Sequence, residues 1–339
     1  MSKDKNILTS VPNHGKFTLG KDYPILNSEL YTSRYAEFEV NDDEGKKTWI
    51  CCGHFNEGFT QQFSETCPCC LAHVAKKIEP PTMTFLGVGG AFAPLSKGHS
   101  NMLITSNKKH MLIDCGGSIQ FSLKDEFKID PRDIDAIWIS HLHSDHIGSL
   151  EWFAFYRHFL PKKDSLGNVI KPKLFMVHTL MDELWETSLK GGLQSVEGKV
   201  MHLTNYFDCI PVMGNTNFEW EGFTMTPVQT LHVMSGYMFK ESFGLLMKNK
   251  ASGKSTFVTT DTQFSPYQLR VFYEQADQIF HDTETLPYKS NVHAHYLDLK
   301  TLPAETRAKI WMYHYAEIIP TFKEDGFQGF VTKGQVFDL

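Results

Sequence analysis

Short apolar runs rich in β-branched and aromatic residues recur along most of the chain. The runs MTFLGVG, NMLITS, HMLIDCG and AIWISHLH each end at or before glycine, serine or a charged turn, as buried strands do. Further strands are predicted at 173–178, 223–231, 243–247, 256–259, 278–281 and 309–314. Amphipathic stretches between them predict helices over 149–159, 179–189 and 266–275. Strands and helices that alternate in this way favour a layered α/β architecture.

A proline pair in Glu79-Pro80-Pro81 interrupts this pattern just before the first of those runs. We therefore predict two regions, residues 1–81 and residues 82–339. In the first region, Tyr35 to Val40 and Thr48 to Cys52 predict two strands joined by the polar turn DDEGKK. A region of this size builds a poor hydrophobic core, so a structural metal would stabilise it.

The composition is that of a globular protein. Hydrophobic residues make up 41% and charged residues 21% of the 339 residues, and no apolar run approaches the roughly 20 residues that span a bilayer. The formal charge of −6 and the pI near 6.2 argue against a protein that holds a long nucleic acid through its phosphates. The first residues, MSKDKNILTSVPNHGK, lack the apolar stretch of a secretory signal, so we expect a cytoplasmic location.

Four potential metal ligands lie within one short stretch, ISHLHSDHIGSLEW. A predicted strand runs directly into His141, His143, Asp145 and His146. Imidazole and carboxylate are the ligands that zinc and similar divalent ions take in catalytic sites. If a loop follows the strand, the first two side chains can face one point while the last two face a second point nearby. The spacing therefore predicts two metals rather than one.

Three further residues of the same kind follow apolar strands elsewhere, namely His232 in TPVQTLHVMSG, Asp261 in FVTTDTQ and His314 in IWMYHYAE. In this order, after MTFLGVGGAFAP and MLIDCGG, the motifs resemble the metallo-β-lactamase superfamily and, within it, the branch of ribonuclease Z and related phosphodiesterases. The resemblance covers about residues 82–320. It implies an α/β fold, the αββα sandwich of that superfamily. Before it we predict a small N-terminal cysteine-rich zinc-binding element, on the cysteine and histidine spacing described below.

The resemblance also assigns these ligands to two divalent cations, zinc or manganese. One cation would be held by His141, His143 and His232, the other by Asp145, His146 and His314, and Asp261 would bridge them. Asp114, in the MLIDCGG strand, would support the ligand loop through hydrogen bonds without touching metal.

The chemistry of such a site follows from its charge. Two divalent cations carry four positive charges, of which two aspartates and a bridging hydroxide remove three. The remaining positive charge matches the single negative charge of a phosphodiester, although neutral lactones or thioesters can also bind. The bridging hydroxide is the expected nucleophile, because metal coordination lowers the pKa of water to about 7.

Cleavage of a diester also needs a proton for the leaving alkoxide. The segment ADQIFHDTETLPYKSNVHAHYLDLKTLP resembles the ribonuclease Z-like stretch in which a histidine-acid motif precedes a second histidine motif near the metals. By that resemblance, Asp282 and His293 form the proton-handling pair, and His295 is the alternative to His293. Asp282 stands where the family usually has glutamate, and Ala294-His295 where it usually has Ser-Thr.

The interval from His232 to Asp261 has room for two strands and a turn, whereas ribonuclease Z carries there an arm that grips tRNA. With the acidic balance of the chain, this favours a phosphodiesterase acting on a small or cyclic nucleotide. The aromatic stretch WFAFYRHFL is expected to be core more than a base-stacking surface.

Other functions stay open at this point. They are hydrolysis of a lactone or thioester at the same metals, a non-catalytic binding protein of the same fold, and the redox or quinone-cofactor synthesis roles known in the superfamily. A homodimer is a further option, because superfamily members often dimerise.

The cysteines crowd together near the N-terminus, five of the seven lying between Cys51 and Cys70. CCGHF and TCPCCLAH are two short knuckles separated by a loop, the pattern of a structural zinc site with four protein ligands. The candidates are Cys51, Cys52, His54, Cys67, Cys69, Cys70 and His73. We predict Cys52, Cys67 and Cys70 together with either His54 or His73. Reduced thiols or an adventitious redox pair are the alternatives.

Overall fold

The structure, a computed structural model, describes residues 80–316 and 319–339 and, before them, the backbone of four strands. The chain forms two compact units, Met1–Glu79 and Pro80–Leu339. Among the described residues, no helix combines the length and the apolar character needed to cross a bilayer.

The strands of the first unit form one antiparallel sheet. In sheet order they are β1 Ile7–Thr9, β2 Asp22–Thr32, β3 Tyr35–Asn41 and β4 Lys47–Cys51. β3 and β4 correspond to the two strands predicted on either side of DDEGKK, and Glu39 pairs with Trp49. The apolar pattern does not indicate β1 or β2. The predicted zinc ligands Cys52, His54, Cys67, Cys70 and His73 lie outside the described residues.

The second unit contains many short strands. They are β5 Thr82–Phe85, β6 Met102–Ser106, β7 Lys109–Ile113, β8 Ile134–Ile139, β9 Lys162–Lys163, β10 Val169–Ile170, β11 Lys173–Val177, β12 Ser195–Val196, β13 Lys199–Val200, β14 Asp208–Val212, β15 Phe218–Trp220, β16 Phe223–Ser235, β17 Met238–Asn249, β18 Ser255–Val258, β19 Gln278–Asp282, β20 Ile310–Tyr313, β21 Gly329–Phe330 and β22 Val336–Asp338.

The helices of this unit are mostly short. They are α1 Ile119–Phe121, α2 Ser144–Ile147, α3 Leu150–Phe159, α4 His178–Glu183, α5 Lys190–Leu193, α6 Leu203–Tyr206, α7 Pro266–Gln275, α8 Tyr296–Leu299 and α9 Ala304–Arg307. Two stretches, Ser122–Glu126 and Leu184–Leu189, are π-helical, and Pro131–Asp133 and Lys323–Asp325 are 3₁₀ turns. The helix predicted over 179–189 is therefore α4 continued by a π-helical segment.

Two mixed seven-stranded sheets organise the second unit. The first has the order β14-β11-β8-β7-β6-β5-β22 and the second the order β15-β16-β17-β18-β19-β20-β21. In the first sheet the strands from β14 to β7 run parallel, whereas β6, β5 and β22 are paired antiparallel. In the second sheet the pairing is antiparallel from β15 to β18 and parallel from β18 to β21.

Aromatic side chains join the two sheets face to face. The ring of Phe85 in β5 lies 5.1 Å from that of Phe280 in β19 and 5.6 Å from that of Tyr313 in β20. Helices cover the outer faces, and on the second sheet Phe257 of β18 contacts Phe272 of α7 at 5.8 Å between ring centroids. Burial of such large apolar surfaces is the main force that holds the layers together. The result is a layered α/β sandwich.

Parallel strands from both sheets end at one edge of this sandwich. β8 ends just before His141, β18 just before the loop that carries Asp261, and β20 directly before His314. Loops at the carboxyl ends of parallel strands are the usual place for a binding site, because side chains from several strands meet there. The predicted metal ligands His141, Asp261 and His314 all belong to this edge.

Candidate metal centre

The structure brings all seven predicted metal ligands together. His141, His143, His232 and Asp261 form one group, and Asp145, His146, His314 and Asp261 form a second. Within each group the nitrogen and oxygen atoms that could bind a metal lie within 4.8 Å of one another. The HLHSDH motif supplies ligands to both groups because the short helix α2 turns Asp145 and His146 away from the two histidines that precede it.

The first group converges on the imidazole of His143. Its Nδ1 lies 3.0 Å from His141 Nε2 and 3.1 Å from His232 Nε2. One oxygen of Asp261, Oδ2, lies 3.5 Å from His232 Nε2 and 3.8 Å from His141 Nε2. His143 is the exposed member of this group, and the other three side chains are buried.

The second group converges on the other oxygen of Asp261, Oδ1. This atom lies 3.3 Å from His146 Nε2 and 3.3 Å from His314 Nε2. Asp145 Oδ2 lies 3.4 Å from His146 Nε2 and 3.3 Å from His314 Nε2. The two oxygens of one carboxylate thus face two separate sets of histidines, which is the arrangement of a bridging ligand.

Hydrogen bonds behind the first group point its lone pairs inward. His232 Nδ1 lies 2.8 Å from the carbonyl oxygen of Val292, so this nitrogen carries the proton and Nε2 presents a lone pair. Ser140 Oγ contacts both Asp114 Oδ2, at 2.8 Å, and His141 Nδ1, at 3.0 Å. Since the hydroxyl donates to the carboxylate, it accepts from His141 Nδ1, and Nε2 of that ring is again left as a ligand atom.

Carboxylates behind the second group orient its imidazole rings in a similar way. Asp114 Oδ2 lies 2.7 Å from His146 Nδ1, and Asp114 Oδ1 accepts a hydrogen bond from Ser140 N at 2.8 Å. Asp282 Oδ1 lies 3.4 Å from His314 Nδ1. In His146 the outer nitrogen is therefore the donor, and in His314 the outer nitrogen faces the Asp282 carboxylate. In both rings Nε2 faces Asp261.

Two ligand atoms of the second group lack partners in the described part of the chain, and the group is spaced as a divalent cation requires. His146 Nε2 and Asp261 Oδ1 are buried and, among the described residues, have no hydrogen-bond partner. Buried polar atoms without partners are costly, so an arrangement that aims two of them at one point calls for a ligand there. Ligand atoms about 3.3 Å apart are what a tetrahedral cation with bonds of about 2.0–2.1 Å requires.

Burial keeps the histidines of the first group neutral. It lowers the pKa of His141 well below the usual range, with repulsion from His146 as the next contribution. Burial likewise lowers the pKa of His143 and of His232. Neutral imidazole is the form that binds metal, so these rings are ready to act as ligands near pH 7.

The second group attracts positive charge instead. Burial disfavours the charged form of His146 and His314, yet Asp261 and neighbouring carboxylates raise the pKa of both rings well above the usual value. Burial also opposes ionisation of Asp261, but His314 and His146 hold its pKa well below the usual range. The negative potential that produces these shifts would equally hold a cation.

One predicted ligand and two residues that support or precede ligands have unusual backbone geometry. Asp114, Thr260 and His314 have φ values of 63°, 50° and 64°, in the left-handed region that non-glycine residues rarely adopt. At His232 the register between β16 and β17 shifts, so this residue sits at a bulge that turns its side chain towards the centre. Such strain is tolerated where the surrounding contacts fix the chain, and it is concentrated at functional sites.

His293 and Asp282 form a pair beside the second group. His293 Nδ1 lies 2.8 Å from Asp282 Oδ2, and the same oxygen accepts a hydrogen bond from Thr262 N at 2.9 Å. Asp282 is fully buried, whereas the side chain of His293 is 21% exposed. Although burial lowers it, the charge of Asp282 raises the pKa of His293 above its usual value. His293 can therefore meet a bound molecule, and Asp282 acts through it.

The structure does not bring His295, the alternative to His293, into this centre. Its Nδ1 accepts a hydrogen bond from Leu297 N at 3.2 Å, at the start of α8, and its Nε2 lies 2.9 Å from the carbonyl oxygen of Leu286. Both ring nitrogens are thus used in holding the loop and the helix. His281 is also engaged elsewhere, with Nε2 2.8 Å from the hydroxyl of Tyr273.

The ligand motifs do not predict two glycines that belong to the site, Gly90 and Gly116. A Cβ atom on Gly90 would lie 2.8 Å from Cε1 of His314, and one on Gly116 would lie 1.8 Å from the carbonyl oxygen of Asp145. Both must lack a side chain for the ligand loops to approach so closely. The sequence signal is the pair of Gly-Gly turns that follow the first and third strands of the second unit, GVGGAF and DCGG.

A cavity of about 500 Å³ opens beside His293 and His314. Its walls are the loop after β5, from Gly90 to Pro94, and the segment after β19, from Glu284 to Val292. Cavities of roughly 300–1,000 Å³ are typical of small-molecule sites. A molecule in this cavity would have one end at the metal centre.

Comparisons with known proteins find a family that matches most of the second unit. A family model described as Anti-Pycsar protein Apyc1 matches residues 81–337. The Anti-Pycsar protein Apyc1 of Paenibacillus harenae is 32% identical over 240 residues, which cover 70% of this chain and 91% of that protein.

Solved structures identify the fold. The metallo-β-lactamase fold protein YhfI of Bacillus subtilis has a TM-score of 0.60 and 16% identity, over 77% of this chain and 100% of that chain. Yeast PDE1 has a TM-score of 0.57 and 11% identity, over 77% of this chain and 99% of that chain. The predicted α/β metallo-β-lactamase fold is confirmed.

Proposed function

We propose that this chain, which belongs to the Anti-Pycsar protein Apyc1 family, is a binuclear metal-dependent phosphodiesterase that hydrolyses a small or cyclic nucleotide. The observation that carries the proposal is the position of Asp261, whose Oδ1 faces His146 and His314 while its Oδ2 faces His141 and His232. A single carboxylate shared between two histidine sets suits a pair of divalent cations.

The seven predicted ligands would hold two cations. His141, His143, His232 and Asp261 would hold one cation, and Asp145, His146, His314 and Asp261 the other. When bound, such cations supply a water that is nucleophilic near neutral pH and positive charge for the phosphoryl oxygens. Nitrogen and oxygen ligands at these spacings suit zinc, with manganese as the alternative.

His293 would handle the proton of the leaving group. Its Nδ1 is engaged with Asp282, which leaves Nε2 to deliver a proton to the departing alkoxide. Asp282 fixes the orientation of the ring and favours its protonated form, while Thr262 N holds the carboxylate in place. Asp282 would therefore be a positioning residue, and His293 the residue that meets the substrate.

Three observations favour a small diester as the substrate. Between His232 and Asp261 the chain contains the end of β16, then β17 and β18, so no arm for a large RNA is inserted there. The cavity beside the metal centre has the size of a small-molecule site. The fold similarity to yeast PDE1 is consistent with this class of reaction.

The first prediction concerns the reaction itself. Purified protein loaded with zinc or manganese should hydrolyse bis-p-nitrophenyl phosphate and at least one cyclic mononucleotide or dinucleotide, because the net charge of the loaded site suits a monoanionic diester. Turnover of a model lactone or thioester without turnover of any diester would instead assign an acyl hydrolase. Metal-loaded protein that hydrolyses neither class would support a non-catalytic binding protein.

The N-terminal zinc site remains a prediction. Metal analysis of the same preparation should give about two ions for the main centre and one for the cysteine cluster. Substitution of Cys67 and Cys70 by serine should remove one of the three ions and leave diester turnover in place. Three ions in that double variant would contradict the assignment.

A further inference from the structure

The cavity beside His293 and His314 has an unusual rim. Phe92 lies in the loop after β5, and its side chain is 102% exposed. Tyr288, in the segment after β19, is 65% exposed and lines the same cavity. Large aromatic side chains are usually buried, so two that are held in water at the mouth of one cavity are candidates for contact with a ligand.

The loop that carries Phe92 is held in place by several contacts. Ala93 N donates a hydrogen bond to the carbonyl oxygen of Gly90, and Lys97 N donates one to that of Pro94. Lys97 Nζ donates to the carbonyl oxygen of Ala316 at 2.7 Å and lies 4.4 Å from the ring centroid of Tyr315. The loop that carries Phe92 is thereby tied to the segment that follows His314.

A few polar side chains stand among the mainly apolar lining of the cavity. Glu284 and Thr285 are buried there, and Glu284 Oε2 accepts a hydrogen bond from Ser290 N at 2.9 Å. A site for an acyl chain would be apolar throughout, because a buried carboxylate beside a hydrocarbon is costly. A lining that combines exposed aromatic rings with a few hydrogen-bonding groups suits a flat heterocycle, whose faces stack while its edge meets polar atoms.

Phe153 and Phe155 of the WFAFYRHFL stretch, which follows the HLHSDH motif, pack in or against the core and do not line the cavity. Phe153 of α3 is fully buried and stacks on Phe207 with ring centroids 6.4 Å apart. Phe155 and Tyr206 pack together in the same region, with ring centroids 6.0 Å apart. These rings belong to the core layer between α3 and α6, so they offer no face to a ligand at the metal centre.

We propose that Phe92 and Tyr288 form a base-stacking subsite that holds the nucleobase of the substrate while its phosphodiester lies at the metal centre. This inference rests on the proposed phosphodiesterase function and adds the part of the substrate that is recognised. Because every base has an aromatic face, a stacking site accepts purines and pyrimidines alike. The subsite would therefore select for the presence of a base more than for its identity.

The test compares substrates with and without a base. Phe92→Ala and Tyr288→Ala should each raise KM for adenosine and cytidine 3′,5′-cyclic monophosphate by about 5- to 100-fold, the range expected from loss of one stacking contact. KM for ribose 3′,5′-cyclic phosphate, which lacks a base, should change by less than about 2-fold. Phe92→Tyr and Tyr288→Phe, which keep the ring, should behave like the unaltered protein.

Matched controls come from exposed side chains outside the cavity. Leu95 lies in the same loop as Phe92 and is 56% exposed, and Tyr267 of α7 is 93% exposed. Leu95→Ala and Tyr267→Ala should leave KM for all three substrates unchanged. If Phe92→Ala and Tyr288→Ala affect the cyclic nucleotides and the base-free ester equally, or affect neither, the stacking proposal is overturned.

A binding measurement separates this proposal from the proposed function. Calorimetry on the full chain should show tighter binding of adenosine 5′-monophosphate than of ribose 5-phosphate, and both alanine variants should abolish the difference. This experiment needs no turnover. Absence of diester hydrolysis with the base-dependent difference intact would overturn the enzyme assignment alone, whereas hydrolysis with equal binding of both compounds would overturn the subsite alone.

Discussion

The metal centre is largely buried and held by hydrogen bonds, whereas the cavity beside it is bordered by exposed aromatic side chains. In the centre, Asp261 is 1% exposed, and the ring nitrogens around it are fixed by hydrogen bonds to partners such as Asp114 and Val292. In the cavity, Phe92 and Tyr288 project into solvent from loops. Hydrogen bonds hold the ligand atoms of the centre in place, as metal–ligand bond lengths require, whereas the rim needs an exposed surface to bind a ligand.

This difference indicates how a change in each region should act. In the centre, each side chain supports another, so the loss of one disturbs several and the effects do not add. At the rim, each aromatic ring is supported by its own loop, and its loss should reduce affinity alone. The remaining predictions test that distinction in the centre, in order of decreasing effect.

The largest effect is expected for Asp261→Ala, because both groups lose a ligand atom at once. Bound metal and diester turnover should both be lost, by more than the roughly 10- to 100-fold typical of an outer hydrogen-bond partner. Metal analysis and kcat/KM measure this. Asp277→Ala is the matched control, since that exposed carboxylate accepts a hydrogen bond from Ser255 N away from the centre. A variant that retained both ions would disprove the bridging role.

A smaller effect is expected for Asp114→Ala. Asp114 binds Ser140 N, Ser140 Oγ and His146 Nδ1, so its loss frees ligands in both groups without removing one. Metal affinity or activity should fall by roughly 10- to 100-fold. Asp130→Ala, which removes a carboxylate that caps the turn at Arg132, should leave metal affinity unchanged. Equal metal affinity in the Asp114 and Asp130 variants would refute the supporting role.

The smallest effect in the centre is expected on the pH profile of Asp282→Asn. The pKa of His293 is raised mainly by the charge of Asp282, against the opposing effect of burial. His293 donates a proton in its charged form, so activity persists below this pKa and is lost as pH rises through it. Without the carboxylate the pKa falls, and the alkaline limb of kcat/KM should move to lower pH.

The control for this shift is His295→Asn, in which asparagine can still cap α8. Its alkaline limb should coincide with that of the unaltered protein. An unchanged limb in Asp282→Asn would show that Asp282 does not tune His293, and a shifted limb in His295→Asn would reinstate His295 as the proton donor.

Strong local patterns made much of the fold predictable. The apolar runs that became β6, β8 and β11 are continuous, and Pro266 marks the start of α7, which ends at Gln275 as predicted. Short strands such as β14, β15 and β22 lack any such signal. β22 pairs with β5, from the opposite end of the unit, through Val336 and Thr84, and three residues in a strand are too few to show an alternation.

The sequence by itself determined the chemistry of this protein, since imidazole and carboxylate side chains at the ends of apolar strands can be recognised without coordinates. Tertiary structure decided which of them act together. It placed the two oxygens of Asp261 towards different histidine sets, turned His232 inward at a bulge, and assigned His295 to a helix cap and His293 to the centre. These outcomes depend on contacts between residues far apart in the chain, and local patterns carry no information about such contacts.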